Sequence, residues 1–170
     1  MNKNWHGLMT ILEIEHTNSN GEVIWRDENL LNIFHTTGEE YLLKVAFDGK
    51  LLPVYYYLGL DDRVELDVAD QMTDIVDEPS VNGYLRQTVD AGGWTVEVKN
   101  GVNRATSPIV TFNASGGGTW GPVRNLFLTN EIGGAGLLMA SVALSAMATL
   151  SSGDNISMRI SLALQDCTSC

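Results

Sequence analysis

Ile132 to Gly153 reads IGGAGLLMASVALSAMATLSSG, and it contains no charged side chain. Its length is that of a bilayer-spanning helix, about 20 mainly apolar residues. Its composition is not, because glycine, serine, alanine and threonine dominate it. From Leu138 the even positions are Leu138, Ala140, Val142, Leu144, Ala146, Ala148 and Leu150, and the odd ones include Ser141, Ser145 and Thr149. A period of two is the mark of a strand with one buried face. No cluster of Lys or Arg follows, as an orienting flank would. The reading adopted is a buried strand, with its centre covered on both faces. Ala143 to Leu150, small on both faces, also permits a short helix or a wide bulge.

The turn composition Ser151-Ser152-Gly153-Asp154 ends the run. Ile156, Met158, Ile160, Leu162 and Leu164 then alternate with Ser157, Arg159, Ser161, Ala163 and Gln165, the cleanest strand pattern in the chain. Upstream, Leu8 to His16 reads as a strand with Leu8, Leu12 and Ile14 on one face. The turn Asn18-Ser19-Asn20-Gly21 leads to a second strand, Glu22 to Arg26, which makes a hairpin.

A single helix is expected after His35. Thr36 or Thr37 can cap it, with Glu39 or Glu40 three residues on. Tyr41, Leu42, Val45 and Ala46 form its apolar stripe, and Asp48-Gly49 stops it. Leu52 to Leu60 (LPVYYYLGL) reads as an aromatic-rich strand. Beyond Gly83 the pattern is β throughout. Trp94, Val96 and Val98 alternate with polar residues up to Asn100-Gly101, a two-residue hairpin turn. Ile109 to Phe112 and Trp120 to Thr129 are further strands. Gly116-Gly117-Gly118 between them reads as a flexible hairpin tip, and Pro122 suits a strand edge or start. Eight to nine strands and one helix give a mainly β fold, an antiparallel jelly-roll-like β-sandwich. The chain reads as one domain over 1–170, with 1–27 an N-terminal hairpin or arm and 166–170 a tail.

The net charge of -11 over 170 residues, with ten Lys and Arg, argues against nucleic acid and anionic membrane surfaces as partners. Much of the acidic excess lies in 61–78, where Asp61, Asp62, Glu65, Asp67, Asp70, Asp74, Asp77 and Glu78 face one Arg63. Without the D-x-D-x-D-G spacing of a calcium loop, this segment reads as a solvated acidic loop and not a metal site. MNKNWHGLMTILEIEH lacks the apolar core and small-residue cleavage site of a signal peptide, so synthesis in the cytoplasm without secretory export is expected.

Cys167 and Cys170 are the only cysteines. The histidines His6, His16 and His35 lie far upstream without zinc spacing. The pair reads as tail thiols, with cross-linking to a neighbouring subunit the sharper alternative. No G-x-S-x-G elbow, H-E-x-x-H helix or phosphate loop occurs. No catalytic residue, cofactor or metal is therefore expected. Carboxylates of the acidic segment serving a sugar-binding or sugar-cleaving sandwich remain a distant alternative.

The order of these pieces resembles a small virion structural protein of tailed bacteriophages. The matching positions are Asn32 and Gly38, Leu58-Gly59, Glu78 with Arg86, Phe112 to Ala114, and Asn125-Leu126-Phe127. They continue at Gly136-Leu137-Leu138-Met139-Ala140 and at Gly153-Asp154 before Ile156 to Leu164. The resemblance covers about residues 29–165, in short, degenerate pieces. It departs from the family at Gly59-Leu60-Asp61, where the family has Gly-Thr-Gly, and in the length of the acidic loop. It implies a β-sandwich in the virion with no catalytic residues. Its place would be the capsid, as decoration or cement bound to the major capsid protein, or the tail or collar, as a fibre or receptor-binding module. A homo-oligomer, made in the host cytoplasm and residing in the particle, is expected. Trp5, Trp25, Tyr55, Tyr56 and Tyr57 are the interface candidates, because aromatic residues dominate binding hot spots.

Overall fold

The computed structural model describes residues 5–80, 83–99, 101–134 and 136–166, the side chains of 5, 6, 32 and 164–166 excepted. Ten strands and one α-helix follow in the order β1 (Trp5–Thr17), β2 (Val23–Phe34), α1 (Thr36–Phe47), β3 (Tyr55–Asp61), β4 (Gln87–Asp90), β5 (Thr95–Lys99), β6 (Val102–Thr106), β7 (Val110–Asn113), β8 (Thr119–Thr129), β9 (Leu138–Ser151) and β10 (Asn155–Asp166). Short 3-10 turns lie at Met72–Asp74 and Ala91–Gly93.

All ladders are antiparallel, and their order is β4-β3-β8-β9-β2-β1-β10-β6-β5, with β7 also on β10. The pairing is nested. β1 pairs with β10, β2 with β9 and β3 with β8, while β4 packs beside β7. This is a long hairpin rolled up on itself, the logic of a jelly roll. The seam between β2 and β9 is short, only Ile33↔Ser141 and Phe34↔Ala140. It divides the sheet into two leaves whose apolar faces meet. Across the interior, Tyr84 stacks on Phe112 at 6.2 Å and meets the Trp120 ring edge-on at 5.2 Å. Met9, Ile11, Leu58, Leu60, Leu126, Leu128, Val142, Ile156 and Ile160 fill the same core. β1 lies between β2 and β10, so residues 5–17 are integral to the sheet.

The uncharged run forms β9. Leu138 to Val142 are buried on both faces, and from Ala143 the burial alternates. Double cover thus holds for the first five residues, where α1 lies on one side. The slack at Ala143 to Leu150 is taken up as a wide bulge. Val123 pairs with Ala148 and Asn125 with Ala143, so two steps along β8 answer five along β9. Pro122 sits beside this irregularity inside β8, a central strand, and not at a sheet edge. A bulge that breaks the ladder removes the need for the N–H that proline lacks.

Four expectations need correction. The first is the phase of the opening hairpin. Ile11 pairs with Ile160 but Glu13 with Arg159, so Leu12 is an extra residue against β10. Asn29, opposite it in β2, takes φ 57, a conformation asparagine tolerates. Leu8, Met9, Thr10 and Ile11 are all buried before the bulge and Ile14 and His16 after it, while Leu12 at the bulge is only half-buried, so Leu8, Leu12 and Ile14 do not form one continuous face. β2 runs on to Phe34, well past Arg26. The second is the helix cap. α1 is in place, but His35 is the N-cap and makes no side-chain cap bond. Thr37 instead donates to Leu138 O at 2.5 Å, and Glu39 accepts Gly7 N–H at 2.8 Å, so both residues tie the helix to the sheet. Of its stripe, Tyr41 is buried, Leu42 and Val45 are partly buried and Ala46 is exposed. The third is Gly116-Gly117-Gly118. It is a crossing from β7, on β10, to β8, between β3 and β9, and not a hairpin tip. The fourth is the aromatic strand, which starts later than read, at Tyr55.

Gly59 shows how tightly the leaves are built. It pairs with Phe127, and a Cβ there would lie 2.2 Å from the Phe127 ring. The ring is fully buried, with the Arg86 guanidinium 5.1 Å from its centroid. Gly59→Ala is expected to destabilise the fold by about 1–3 kcal/mol through overpacking. Equilibrium urea unfolding checks this; a change below about 0.5 kcal/mol, the scale of a neutral surface site, would show that the ring can turn aside.

Candidate functional site

Two places combine polar chemistry with an unusual setting: a buried network under the acidic segment, and an apolar groove at the open end of the sandwich.

The network starts at Asp61, the last residue of β3, which is fully buried. Its Oδ1 accepts Arg63 N–H at 2.8 Å, Arg63 Nε at 3.0 Å and Asn125 Nδ2 at 2.9 Å, and its Oδ2 accepts Arg63 Nη2 at 2.9 Å. Arg63, also buried, reaches Asp70 Oδ2 at 2.9 Å through Nη1 and Ser141 Oγ at 2.7 Å through Nη2. Ser141 Oγ lies 2.7 Å from His35 Nε2, and His35 Nδ1 lies 2.9 Å from Asp67 O. A carbonyl only accepts, so Nδ1 carries the ring proton, Nε2 accepts the serine hydroxyl, and the serine oxygen accepts from Arg63.

A serine donating to an imidazole is the first half of a nucleophilic dyad. Here both side chains have zero exposure. The guanidinium already occupies the serine oxygen, so a carbonyl carbon has no approach to it. The network is a clamp that closes the acidic segment over the sheet. Two further arginines act likewise. Arg86 grips Glu78 in a bidentate fork, 2.7 Å at both contacts, and donates to Glu131 O at 3.0 Å. Arg124 pairs with Asp62. The segment 61–78 is therefore not a freely solvated loop, because Asp61, Asp62, Asp70 and Glu78 are each held by an arginine. Among the described residues no group of three or more His, Cys, Asp and Glu is placed to hold a metal ion.

Burial holds His35 below its ordinary pKa, and the Arg63 charge adds to this. Burial also lowers His16, against the opposing pull of Asp154, whose Oδ2 is 3.8 Å from Nε2. Both folded values lie below the unfolded 6.5. The unfolded chain therefore takes up protons that the native state refuses. The stability held by keeping these rings neutral is complete well above that value and is lost as pH falls below it. Melting temperature is expected to drop from about pH 7.5 to about pH 5.5, before the carboxylates titrate. His35→Gln, measured over the same range, is expected to flatten the slope; an unchanged slope would remove His35 from this account. Burial also drives the Tyr56 hydroxyl up to about 12, so it stays protonated throughout.

The groove has a volume of about 820 Å³, and Phe34, Leu42, Leu52, Tyr56, Trp94 and Val96 form much of its lining. It is the core carried past its cover. Leu162 of β10 pairs with Ala105 of β6, and Ala105 pairs with Val96 of β5, so one apolar row runs from the interior to the sheet edge. Val96 is 74% exposed, Val98 69% and Leu52 59%, with Phe47 exposed at the end of α1 and Leu51 on the stretch after it. Trp94 Nε1 and Arg104 Nε are buried at this groove without a hydrogen-bond partner among the described residues.

The aromatic candidates divide. Tyr56 is buried and lines the groove, its ring edge-on to Trp94 at 6.3 Å. Tyr55 is exposed and Tyr57 half-buried, so the three rings do fall on both faces of β3. Trp25 is half-buried and sits edge-on to His16 at 5.9 Å. The Trp5 side chain, Cys167 and Cys170 lie outside the described residues. Leu52, Val96 and Val98 were not singled out from the sequence. Their signal was present: an alternating apolar strand of five residues against an N-G turn is a hairpin tip, which projects beyond a core.

Among the described residues no helix is long and apolar enough to cross a membrane. Comparison with models of known protein families and with curated proteins returns no match.

Proposed function

We propose that this chain is a structural protein of a tailed-bacteriophage virion, a capsid decoration or cement protein that bridges subunits of the shell. Its partners would be the major capsid protein or other virion proteins, and its place the mature particle. The sequence resemblance supports this, and the carrying observation is the unroofed apolar row Leu162-Ala105-Val96 with Leu52 beside it. A cement protein binds by area, about 800 Å² on each side of a standard interface. A rigid β scaffold presenting exposed aliphatic side chains has that form. The net charge of -11 favours a partner with a basic face and keeps decorated particles apart.

Cryo-electron microscopy of purified particles tests the reading. Many copies arrayed on the shell support it; copies confined to one vertex or to the tail place the protein among collar and fibre components instead. Leu51→Glu combined with Leu52→Glu should lower occupancy on the shell at least tenfold, a loss of about 1.4 kcal/mol. Both residues are exposed, so folding stability should change by less than about 1 kcal/mol in sum. Full occupancy by this variant would exclude the groove as the contact.

A further inference from the structure

We propose that the free edge of β5 joins a second copy of this chain, strand to strand, about a two-fold axis through Val98. This inference does not depend on the virion reading.

β5 ends the sheet and pairs only with β6. All five of its residues, Thr95 to Lys99, are exposed. Edge strands are normally blunted by proline, a bulge, a covering segment or charged side chains, and of these β5 carries only the charges Glu97 and Lys99, of opposite sign. β5 has no proline, its ladder with β6 is regular, and no described element pairs with its outer side. At the other edge β4 is shorter, four residues, and packs beside β7.

The hairpin register fixes what the edge offers. Lys99 pairs with Val102 across the two-residue turn, which makes 99, 97 and 95 the positions hydrogen-bonded to β6. The N–H and C=O groups of Val96 and Val98 therefore face outward. Three two-fold antiparallel self-pairings use them, and the one centred on Val96 sets Glu97 against Thr95 and gains no charge pair. Centred on Glu97, the ladder sets Glu97 directly against Glu97 of the second copy. Centred on Val98, it sets Glu97 against Lys99 of the second copy and Lys99 against its Glu97. These fall at the non-hydrogen-bonded positions, where facing side chains come closest. Val98 meets Val98 between them through two main-chain bonds. Charge complementarity selects the register centred on Val98. Glu97 is held on that face by the Thr106 hydroxyl at 3.2 Å. Val96 and Val98 share the opposite face, so the pairing brings the two apolar grooves edge to edge and extends their common floor.

Sedimentation velocity of the whole protein, from about 5 to about 500 µM chain, reads the result, since association follows mass action. Salt near 0.15 M screens the repulsion between two acidic bodies. The wild type is expected to pass from monomer to dimer within this range. Glu97→Lys and Lys99→Glu should each raise the dissociation constant at least tenfold, and the double exchange should restore it. Val98→Pro should abolish association with the melting temperature retained, because that N–H makes no bond to β6. Circular dichroism confirms the fold of each variant. A wild type that stays monomeric throughout overturns the proposal, as does a dimer that is indifferent to Glu97→Lys or not restored by the double exchange.

Discussion

Arg63→Ala is expected to destabilise the protein by about 3–5 kcal/mol, the cost of leaving a buried charge without its partner. At about 2–4 °C per kcal/mol for a chain of this size, the melting temperature should fall by about 6–20 °C. The reason lies in what remains. Asp61 has no exposed surface and would keep only Arg63 N–H and Asn125 Nδ2 as donors. Asp70 and Ser141 would each lose a guanidinium contact, and with Ser141 goes one side of the chain that reaches His35. Arg63→Lys keeps the charge but not the fork, and should fall between alanine and wild type.

A second variant separates the pair from the general fragility of a core. Asp61→Asn with Arg63→Met removes both charges and keeps an amide oxygen for the Arg63-position N–H. A buried ion pair replaced by neutral groups of similar size is often close to neutral. The double variant should recover at least about half of the loss, a coupling that residues in direct contact are expected to show. Urea unfolding of the wild type, Asp61→Asn, Arg63→Met and the double variant gives the cycle. Additive single effects would mean that the clamp is not acting as a pair.

The fold was more legible in this chain than the clamp, and for physical reasons. Strand period is a local property, so Ile156, Met158 and Ile160 declare themselves without any knowledge of their neighbours. The same holds for the even positions of β9, for Asp48-Gly49 at the end of α1 and for the turn before Val102. Phase is harder. The bulge at Leu12 and Asn29 is a relation between β1 and β10, some 150 residues apart, and the side chains near it give no warning. Ion pairs are harder still. A run of acids reads as solvated surface unless its cations are known, and two of the three lie outside it, at Arg86 and Arg124. The His35–Ser141 bond joins positions 106 apart. The exposed row at Val96 was not singled out for a related reason: alternation shows that a strand has an apolar face, and only its place at the hairpin tip hints that nothing covers it.

Gly38→Ala carries the other large effect. Gly38 lies in the first turn of α1, where alanine would normally raise helix stability. A Cβ there would sit 2.3 Å from Met139 O and 2.6 Å from Met139 Cα. These are backbone atoms of a doubly buried strand, and unlike the ring opposite Gly59 they have no torsion that swings them aside. Met139 O also accepts His35 N–H at 2.9 Å, and Leu138 O accepts the Thr37 hydroxyl. The helix can relieve the overlap only by lifting, which breaks both bonds and uncovers Tyr41 and the outer face of Leu138 to Val142. Overpacking alone costs about 1–3 kcal/mol. Each hydrogen bond lost adds about 1 kcal/mol, so a total of about 3–5 kcal/mol is expected by urea unfolding. Gly133→Ala, at a position with open space for a Cβ, is the control and should stay within about 0.5 kcal/mol. Amide exchange distinguishes the mechanism. Lifting of α1 should release the amides of residues 39–47 together, with β10 still protected. Equal loss of protection across both would mean that the helix and the sheet do not separate, and that the contact at Met139 is shared by the whole fold.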